Sequence, residues 1–490
     1  MPTIKLPADP SLEHLRNQAR ALQRAVRAGD PRRSRPRSRS SPGRRRRRVP
    51  LAVAQLVLAR EYGFASWPRL KRHLDIVARH NRDLGSRQSA DPGEEFCRLA
   101  CLAYSGDDGP ERWAAARRLL AERPDLTRES IWAAAAAADP DATRRLLAAE
   151  PSAARRDGGP YALTPLFYLA YSRAGGTEDR VLATARLLLG AGANPDDGCL
   201  WKGLAPPFTV LTGVFGEGED GPGRQPRHPH SLALARLLLE AGADPNDGQT
   251  LYNRMFRDGD DHLELLFAYG LGTGDGGPWR ARLGDALDSP AAMVRGQLGW
   301  AVGHGFTDRV RLLVAHDVDV RTPLGDGRTP IEVAVRGGHS AIVELLAEAG
   351  AVRPEVSGVD ALVAACLAAD HAEVARLAAD DGLLTRTREE RPALVVEAAE
   401  GRRTEALALL AELGFDLDAQ LDAELNARLV LGVSGGTALH WAAWRGDLDL
   451  ARRLLDLGAD PGVRDTKFAM TPLEWARHAS QDAMAAFLTG

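Results

Sequence analysis

The chain has 490 residues, of which 44% are hydrophobic and 6% aromatic, and its formal net charge is −3. Alanine and leucine, two strong helix formers, make up most of the apolar residues, so the composition favours an all-helical protein that can bury a core. Ten of the 63 basic residues lie within 31–50, and the other 53 face 66 acidic residues, a balance of −13 that disfavours a large phosphate-binding surface.

Several protein classes are disfavoured by simple counts. Four cysteines in so long a chain do not suggest a disulfide framework; they stand at 97, 101, 199 and 366. The N-terminus lacks the apolar segment of a secretory signal, and no stretch approaches the roughly 18 apolar residues that span a bilayer. Lysine occurs only four times, whereas Ala, Gly, Arg, Asp and Pro abound, as in a GC-rich gene. We therefore expect a reduced, cytoplasmic protein of bacterial origin.

The first predicted elements are helices. Apolar residues recur at helical spacing in 11–28, and residues 51–80 predict a helix, a turn at Gly63 and a second helix opened by Ser66 and Pro68. Such a pair can act as a DNA-reading helix-turn-helix, in which Arg69, Lys71 and Arg72 would face phosphate. Trp67 and Leu70, however, are typical packing residues, which favours a structural role.

Residues 31–50, PRRSRPRSRSSPGRRRRRVP, interrupt this helical region with ten arginines and no acidic residue. One hypothesis is a stretch translated in a shifted reading frame, because the composition changes abruptly between two helical segments. A second is a disordered, solvated linker that carries real charge. A third is an arm that binds nucleic acid without sequence preference. The sequence leaves all three open.

Two blocks recur in the rest of the chain. ARLLLGAGANPDDG (185–198) returns as ARLLLEAGADPNDG (235–248), and Leu312, Leu345, Leu377 and Leu409 are spaced by 33, 32 and 32 residues. The second block comprises LTPLFYLA (163–170), RTPIEVAV (328–335), GTALHWAA (436–443) and MTPLEWAR (470–477). A fixed period near 33 indicates a stack of similar units, none of which buries its apolar face alone.

Residues in these blocks have predictable physical roles. Thr164, Thr329 and Thr471 can cap a helix whose first position is the following proline. A glycine after the second helix suits a left-handed termination; these glycines are Gly192, Gly242, Gly350 and Gly458.

The two blocks at this period resemble the ankyrin repeat, whose T-P-L-H-x-A signature is closest in TALHWA (437–442). The resemblance implies that His440, at the histidine position of this signature, hydrogen-bonds between neighbouring turns. The resemblance implies an all-α solenoid of about ten or eleven degenerate helix-turn-helix units with short β-turn fingers over 94–490. We expect a solvated loop insertion near 213–230, a second insertion near 271–290 with one short helix, and a terminal cap at 471–489 that exposes Arg477, His478 and Gln481.

Residues 1–90 are predicted to form an N-terminal helical leader. AQLVLAREYGFASWPRL (54–70) resembles the extension that precedes the repeats in many bacterial ankyrin-repeat proteins, and only 31–50 departs from that pattern.

The resemblance also implies where a partner would bind, since ankyrin proteins use a concave face formed by the turn tips and first helices. By position, the predicted protein-binding residues are Arg328, Arg336, Trp444, Arg445, Arg464, Lys467, Phe468, Arg477 and His478. The alternative for each arginine is a solvated charge, and for Trp444 it is packing against the next repeat.

No motif predicts catalytic, cofactor-binding or metal-binding residues. The two G-x-G-x-x-G matches, GEGEDG (216–221) and GTGDGG (272–277), lack a βαβ context and are interpreted as loops. We therefore expect a non-enzymatic, monomeric interaction scaffold or regulator that binds an unidentified protein partner and no membrane. The alternative is a nucleic-acid-associated regulator that uses the basic region 31–80.

Overall fold

The computed structural model describes residues 11–28, 50–85, 88–420, 435–479 and 481–489. The arginines of the 31–50 tract lie outside the described residues, so its three interpretations remain predictions. The chain divides into two compact units, Met1–Met293 and Val294–Gly490. The predicted division near residue 90 stays a prediction.

The first unit is helical, as predicted. Its α-helices are Leu12–Ala28, Leu51–Glu61, Trp67–His80, Pro92–Ala100, Pro110–Glu122, Leu126–Glu129, Ile131–Ala136, Pro140–Ala149, Pro165–Tyr171, Glu178–Gly190, Val210–Phe215, Gly221–Arg224, Ser231–Glu240, Gly248–Arg254, Asp261–Ala268 and Gly277–Leu283, with 3₁₀ turns at Pro151–Arg155 and Gly284–Ala286. The described strands are short: Asn81–Arg82 lies parallel to Gly198–Trp201, which pairs antiparallel with Phe208–Thr209. These eight residues comprise one antiparallel pair and a two-residue strand beside it, so the unit has no central sheet among its described residues.

The leader folds as a small helical cluster. Its second and third helices are separated by a turn at Gly63, and the Ser66 hydroxyl accepts a hydrogen bond from the Arg69 N–H at 3.4 Å. Leu15, Leu58 and Leu70 are buried in its core, against which Trp67 packs. The predicted helix–turn–helix and the packing role of Trp67 and Leu70 are confirmed.

In the remainder of the first unit, successive helices alternate between two layers. One layer stacks Ile131–Ala136, Pro165–Tyr171, Val210–Phe215 and Gly248–Arg254, in that order. The other stacks Pro140–Ala149, Glu178–Gly190, Ser231–Glu240 and Asp261–Ala268. Each pair buries its apolar faces against the pairs before and after it, as expected for a stack of repeated units.

The second unit has the same plan. Its helices are Pro290–His304 (which begins in the first unit), Thr307–Ala315, Pro330–Arg336, Ser340–Glu348, Gly358–Leu367, His371–Ala378, Asp381–Glu390, Leu394–Glu400, Thr404–Glu412, Ala438–Arg445, Leu448–Asp456, Pro472–His478 and Asp482–Phe487. A core rich in leucine and alanine runs from Leu362 to Met484. Asp381–Glu390 is an additional helix that packs beside the pair before it.

The starts and ends of the helix pairs mostly follow the sequence. The Thr329 and Thr471 hydroxyls accept from the backbone N–H of Glu332 and Glu474, and each glutamate carboxylate bonds back to its threonine, which completes a capping box. Thr164 differs, because its hydroxyl donates to the Asp197 carboxylate and makes no cap hydrogen bond. The four predicted glycines all have positive φ, namely Gly192, Gly242, Gly350 and Gly458.

Residues 213–230 differ from the predicted solvated loop. Residues 213–218 are buried, and Gly213 lies in the helix Val210–Phe215. A Cβ atom at Gly213 would approach Cδ2 of Tyr171 to 2.1 Å, so this glycine permits close packing. Its carbonyl accepts from the buried Arg173 at 2.7 Å. The insertion near 271–290, in contrast, carries the expected short helix, Gly277–Leu283.

No helix within the described residues is long and apolar enough to cross a membrane.

Candidate functional site

Four of the predicted binding residues lie at the C-terminal ends of two helices, each of which is the first helix of its pair. Trp444 and Arg445 close Ala438–Arg445, and Arg477 and His478 close Pro472–His478. The two helices pack side by side in one layer. The sequence thus brings the end of TALHWAAWR beside the end of TPLEWARH.

Trp444 is held in place and is exposed at the same time. Its ring stacks on the imidazole of His478, with centroids 6.0 Å apart and planes at 30°, and meets the Trp475 ring edge-on at 6.0 Å. The Trp444 side chain nevertheless keeps 37% of its surface exposed. Packing on the next repeat and availability to a partner, posed as alternatives, therefore both apply to this residue.

The finger at 463–470 is organised by Asp465, which is buried. Its carboxylate accepts from the backbone N–H groups of Lys467, Phe468 and Met470 at 2.9, 2.6 and 2.9 Å, and from Nε1 of Trp475 at 3.0 Å. These hydrogen bonds favour the charged form and lower the pKa of Asp465, although burial opposes them. Asp465 and Trp475 were not predicted as site residues; the only local signal was the R-D-T turn after a helix pair.

The finger displays two of the predicted residues. Phe468 is 56% exposed, and the Lys467 ammonium lies 5.0 Å from the centroid of the Phe468 ring. Arg464 donates to the Ala469 carbonyl at 2.5 Å and lies 3.3 Å from a Glu474 carboxylate oxygen. The finger is therefore rigid at its base and apolar and basic at its tip.

The helix Pro472–His478 runs from the finger toward Trp444, and its Glu474 pairs with Arg464 of the finger. Glu474, Arg477 and His478 lie three and four residues apart and share one face of their helix. The seven residues of Pro472–His478 span about 10 Å from the finger to the Trp444 end. We call the exposed residues at the two ends of this helix the last-repeat surface; it consists of Trp444, Arg464, Lys467, Phe468, Arg477 and His478.

Comparison with known families supports this repeat pattern. Residues 326–356 match the ankyrin repeat model, and residues 362–465 match a model that comprises three ankyrin repeat copies. The chain carries ankyrin repeats. No curated protein matches the chain.

Arg445 also belongs to these ankyrin repeats, but it is engaged inside the stack. Its Nη1 donates to the Glu400 carbonyl at 2.8 Å, Nη2 lies 3.8 Å from the Glu400 carboxylate, and the guanidinium sits 5.5 Å from the Trp441 ring centroid. The Glu400 carbonyl ends the first helix of the preceding pair, where a positive charge is favourable. Arg445 thus joins two repeats, a role that sequence reasoning missed.

The pKa of Glu400 gives this contact a pH dependence. Burial raises the pKa of Glu400 to about 7, with Glu397 adding to the shift and Arg445 opposing it. A group whose pKa is higher in the folded state stabilises the fold fully below its unfolded pKa, and loses that contribution as pH rises through the folded value.

We therefore expect Glu400→Gln to gain stability relative to the natural protein as pH rises from about 4.5 to 7, by up to about 3 kcal/mol. Urea unfolding at several pH values measures this difference. Glu405→Gln, on an exposed carboxylate of the next helix, is the matched control and should show no such trend. A difference that stays constant with pH would contradict the assignment.

The other two predicted residues lie in an earlier ankyrin repeat. Arg336 forms an ion pair with Asp360 of the following helix pair, so its charge is compensated. Arg328 is exposed beside the start of Pro330–Arg336, and its side chain makes no hydrogen bond or ion pair with other described residues. Neither residue is part of the last-repeat surface.

Gln481 was expected to be exposed on the terminal cap. It is half-buried, and its Nε2 donates to the Trp444 carbonyl at 3.3 Å. Arg477 and His478 are exposed, as predicted.

His440 has the predicted structural role. Its Nδ1 accepts from the Thr437 N–H at 3.1 Å, which leaves the proton on Nε2, and Nε2 donates to the Met470 carbonyl of the next finger at 2.9 Å. The imidazole is fully buried.

Metal and nucleic-acid sites gain no support from the geometry. Among the described residues, no three His, Cys, Asp or Glu side chains converge as a metal site would require. Of the leader cations considered for phosphate binding, Arg69 lies 2.9 Å from the Asp285 carboxylate. The nucleic-acid alternative remains a prediction that rests on the arginine tract.

Proposed function

We propose that this protein is a non-enzymatic scaffold or regulator that binds a protein partner through its last-repeat surface. Ankyrin repeats generally mediate protein–protein interaction, which supports the general role. The observation that carries the location is Trp444, an indole fixed by two neighbouring rings yet still 37% exposed.

A fixed aromatic side chain is well suited to anchor an interface. Because the rings of Trp475 and His478 already restrict Trp444, binding costs little additional side-chain entropy. Tryptophan and arginine are also the residue types that most often dominate binding energy. Phe468 adds a second exposed ring at the finger tip.

The test replaces both rings and measures capture. We expect the Trp444→Ala/Phe468→Ala protein to fold, since the two side chains are exposed, and to retain a partner from native-cell lysate about tenfold less well. Far-UV circular dichroism checks the fold, and quantitative mass spectrometry of co-eluting proteins measures capture.

Val352→Ala is the matched control, because Val352 is 86% exposed and lies in an earlier repeat. Capture should be the same as with the natural protein. If the double variant captures every protein that the natural chain captures, the last-repeat surface is not the binding site.

A further inference from the structure

The charged side chains of the last-repeat surface differ in whether they already form an ion pair within the protein. Glu474 is its acidic neighbour, and the Glu474 carboxylate already accepts from the Thr471 N–H at 2.7 Å and the Thr471 hydroxyl at 3.0 Å. It also pairs with Arg464 at 3.3 Å. This carboxylate and the Arg464 guanidinium therefore compensate each other within the protein.

Two cations on the same surface remain available to a partner. Lys467 lies over the Phe468 ring, and Arg477 ends the helix beside His478; neither is in an ion pair with another described residue. The three cations Arg464, Lys467 and Arg477 face two carboxylates, Glu474 and the buried Asp465, so the surface has an excess of one positive charge beside two exposed rings. Outside 31–50, the chain as a whole carries 53 basic and 66 acidic residues, so this local excess runs against the general balance.

We infer that the last-repeat surface binds an acidic segment of a partner protein that also carries an aromatic or large aliphatic side chain. This inference rests on the proposed function and specifies the chemistry of the partner. The apolar side chain packs on Trp444 or Phe468, and carboxylates pair with Lys467 and Arg477. Such a segment complements both the exposed rings and the positive charge of the surface.

The dimensions of the surface limit the length of the segment. Phe468 and Trp444 lie beyond opposite ends of a helix about 10 Å long. An extended chain advances roughly 3.3 Å per residue, so about three to five residues cover this distance. The recognised motif is therefore short, with the apolar residue and the carboxylates within about three to five residues of one another.

A set of fluorescent peptides tests the inference with the full chain. Each peptide has about twelve residues, enough to cover the surface, and a central Leu-Trp pair flanked by Asp and Glu, by Ser and Gly, or by Lys and Arg. A single-stranded DNA of the same length is the fourth probe. Fluorescence anisotropy measures binding. We expect the acidic peptide to bind about tenfold more tightly than the neutral one and to weaken as salt is added.

Variants separate this surface from the arginine tract, which also attracts anions. We expect Lys467→Glu/Arg477→Glu to weaken the acidic peptide about tenfold. Trp444→Ala should weaken the acidic and neutral peptides by similar factors. Arg453→Glu is the matched control, since Arg453 is likewise an exposed arginine in the last turn of a helix, Leu448–Asp456, and should leave binding unchanged. Circular dichroism checks that each variant is folded.

Three results would overturn the inference: equal binding of the acidic and neutral peptides, equal losses with Arg453→Glu, or single-stranded DNA that binds more tightly through Lys467 and Arg477 than the acidic peptide does. Its failure is distinguishable from failure of the proposed function. If Trp444→Ala/Phe468→Ala still abolishes lysate capture while the acidic peptide shows no preference, the binding role stands and only the acidic chemistry is wrong.

Discussion

Arg403→Met is expected to lower the free energy of unfolding by about 3 kcal/mol, because it removes hydrogen bonds that join three successive helix pairs. Arg403 precedes the helix Thr404–Glu412, and its Nη1 donates to the carbonyl of Gly337 and, at 3.0 Å, to that of Leu367. These carbonyls follow the first helices of the two preceding pairs, where helices leave acceptors without intrahelical partners.

A second readout follows from His339. Nη2 of Arg403 lies 2.9 Å from Nδ1 of His339, and burial together with the Arg403 charge lowers the pKa of His339 to about 3. In Arg403→Met the pKa of His339 should rise but stay below its ordinary value, because burial is the larger cause. An NMR titration of the imidazole measures this shift.

Urea unfolding followed by far-UV circular dichroism measures the stability change. A stack of repeats is stabilised by contacts between neighbours. We therefore also expect a broader unfolding transition when the three helix pairs lose the hydrogen bonds that Arg403 makes between them. Arg402→Met is the matched control: Arg402 is exposed and its ion pair with Asp447 should contribute less than about 1 kcal/mol. Equal losses of unfolding free energy in the two variants would show that the buried hydrogen bonds of Arg403 contribute no more than the exposed ion pair of Arg402.

The features that sequence reasoning found are those encoded at fixed local spacing. A threonine before a proline predicts the helix caps at Thr329 and Thr471, and a glycine after a leucine pair predicts the left-handed ends at Gly192 and Gly458. Each of these depends on atoms within a few residues, so a short pattern is sufficient. The helix pairs follow from the same kind of signal, and the structural role of His440 follows from its position in the repeat signature.

The features that were missed depend on partners in other repeats. Arg403 reaches Leu367 across 36 residues, Arg445 reaches Glu400 across 45, and Gln481 reaches Trp444 across 37. In all three, a later repeat donates to a carbonyl at or near the end of an earlier first helix. The donors differ in residue type and spacing, so no short motif reveals them.

The same limit applies to the candidate site. The family position correctly suggested that Trp444, Phe468, Arg477 and His478 are exposed, and all four are. It could not distinguish Arg477, which forms no ion pair with another described residue, from Arg336, which forms an ion pair with Asp360. Ion pairing across a repeat boundary decides which arginine can meet a partner, and only coordinates show it.

His440→Leu is expected to destabilise the second unit by about 2 to 4 kcal/mol. Leucine keeps the apolar contacts but leaves the buried Thr437 N–H without a partner, and the Met470 carbonyl keeps only its hydrogen bond from the Asp465 N–H. The Met470 carbonyl belongs to the finger that displays Lys467 and Phe468. We therefore expect the loss to loosen that finger as well, seen as faster amide hydrogen exchange in 463–470. Urea unfolding measures the stability, and His371→Leu, on an exposed histidine of the same unit, is the control.

The pH dependence of this loss has a defined sign. Burial lowers the pKa of His440, with the Met470 hydrogen bond opposing it, so the unfolded chain takes up the proton first as the pH falls below about 6.5. The natural protein consequently loses stability on acidification, whereas His440→Leu has no imidazole to titrate. The gap between the two proteins should be largest near neutral pH and shrink toward acid. A gap that widens below pH 6.5 would mean that His440 is charged in the folded state, in which case its Nδ1 could not accept from the Thr437 N–H.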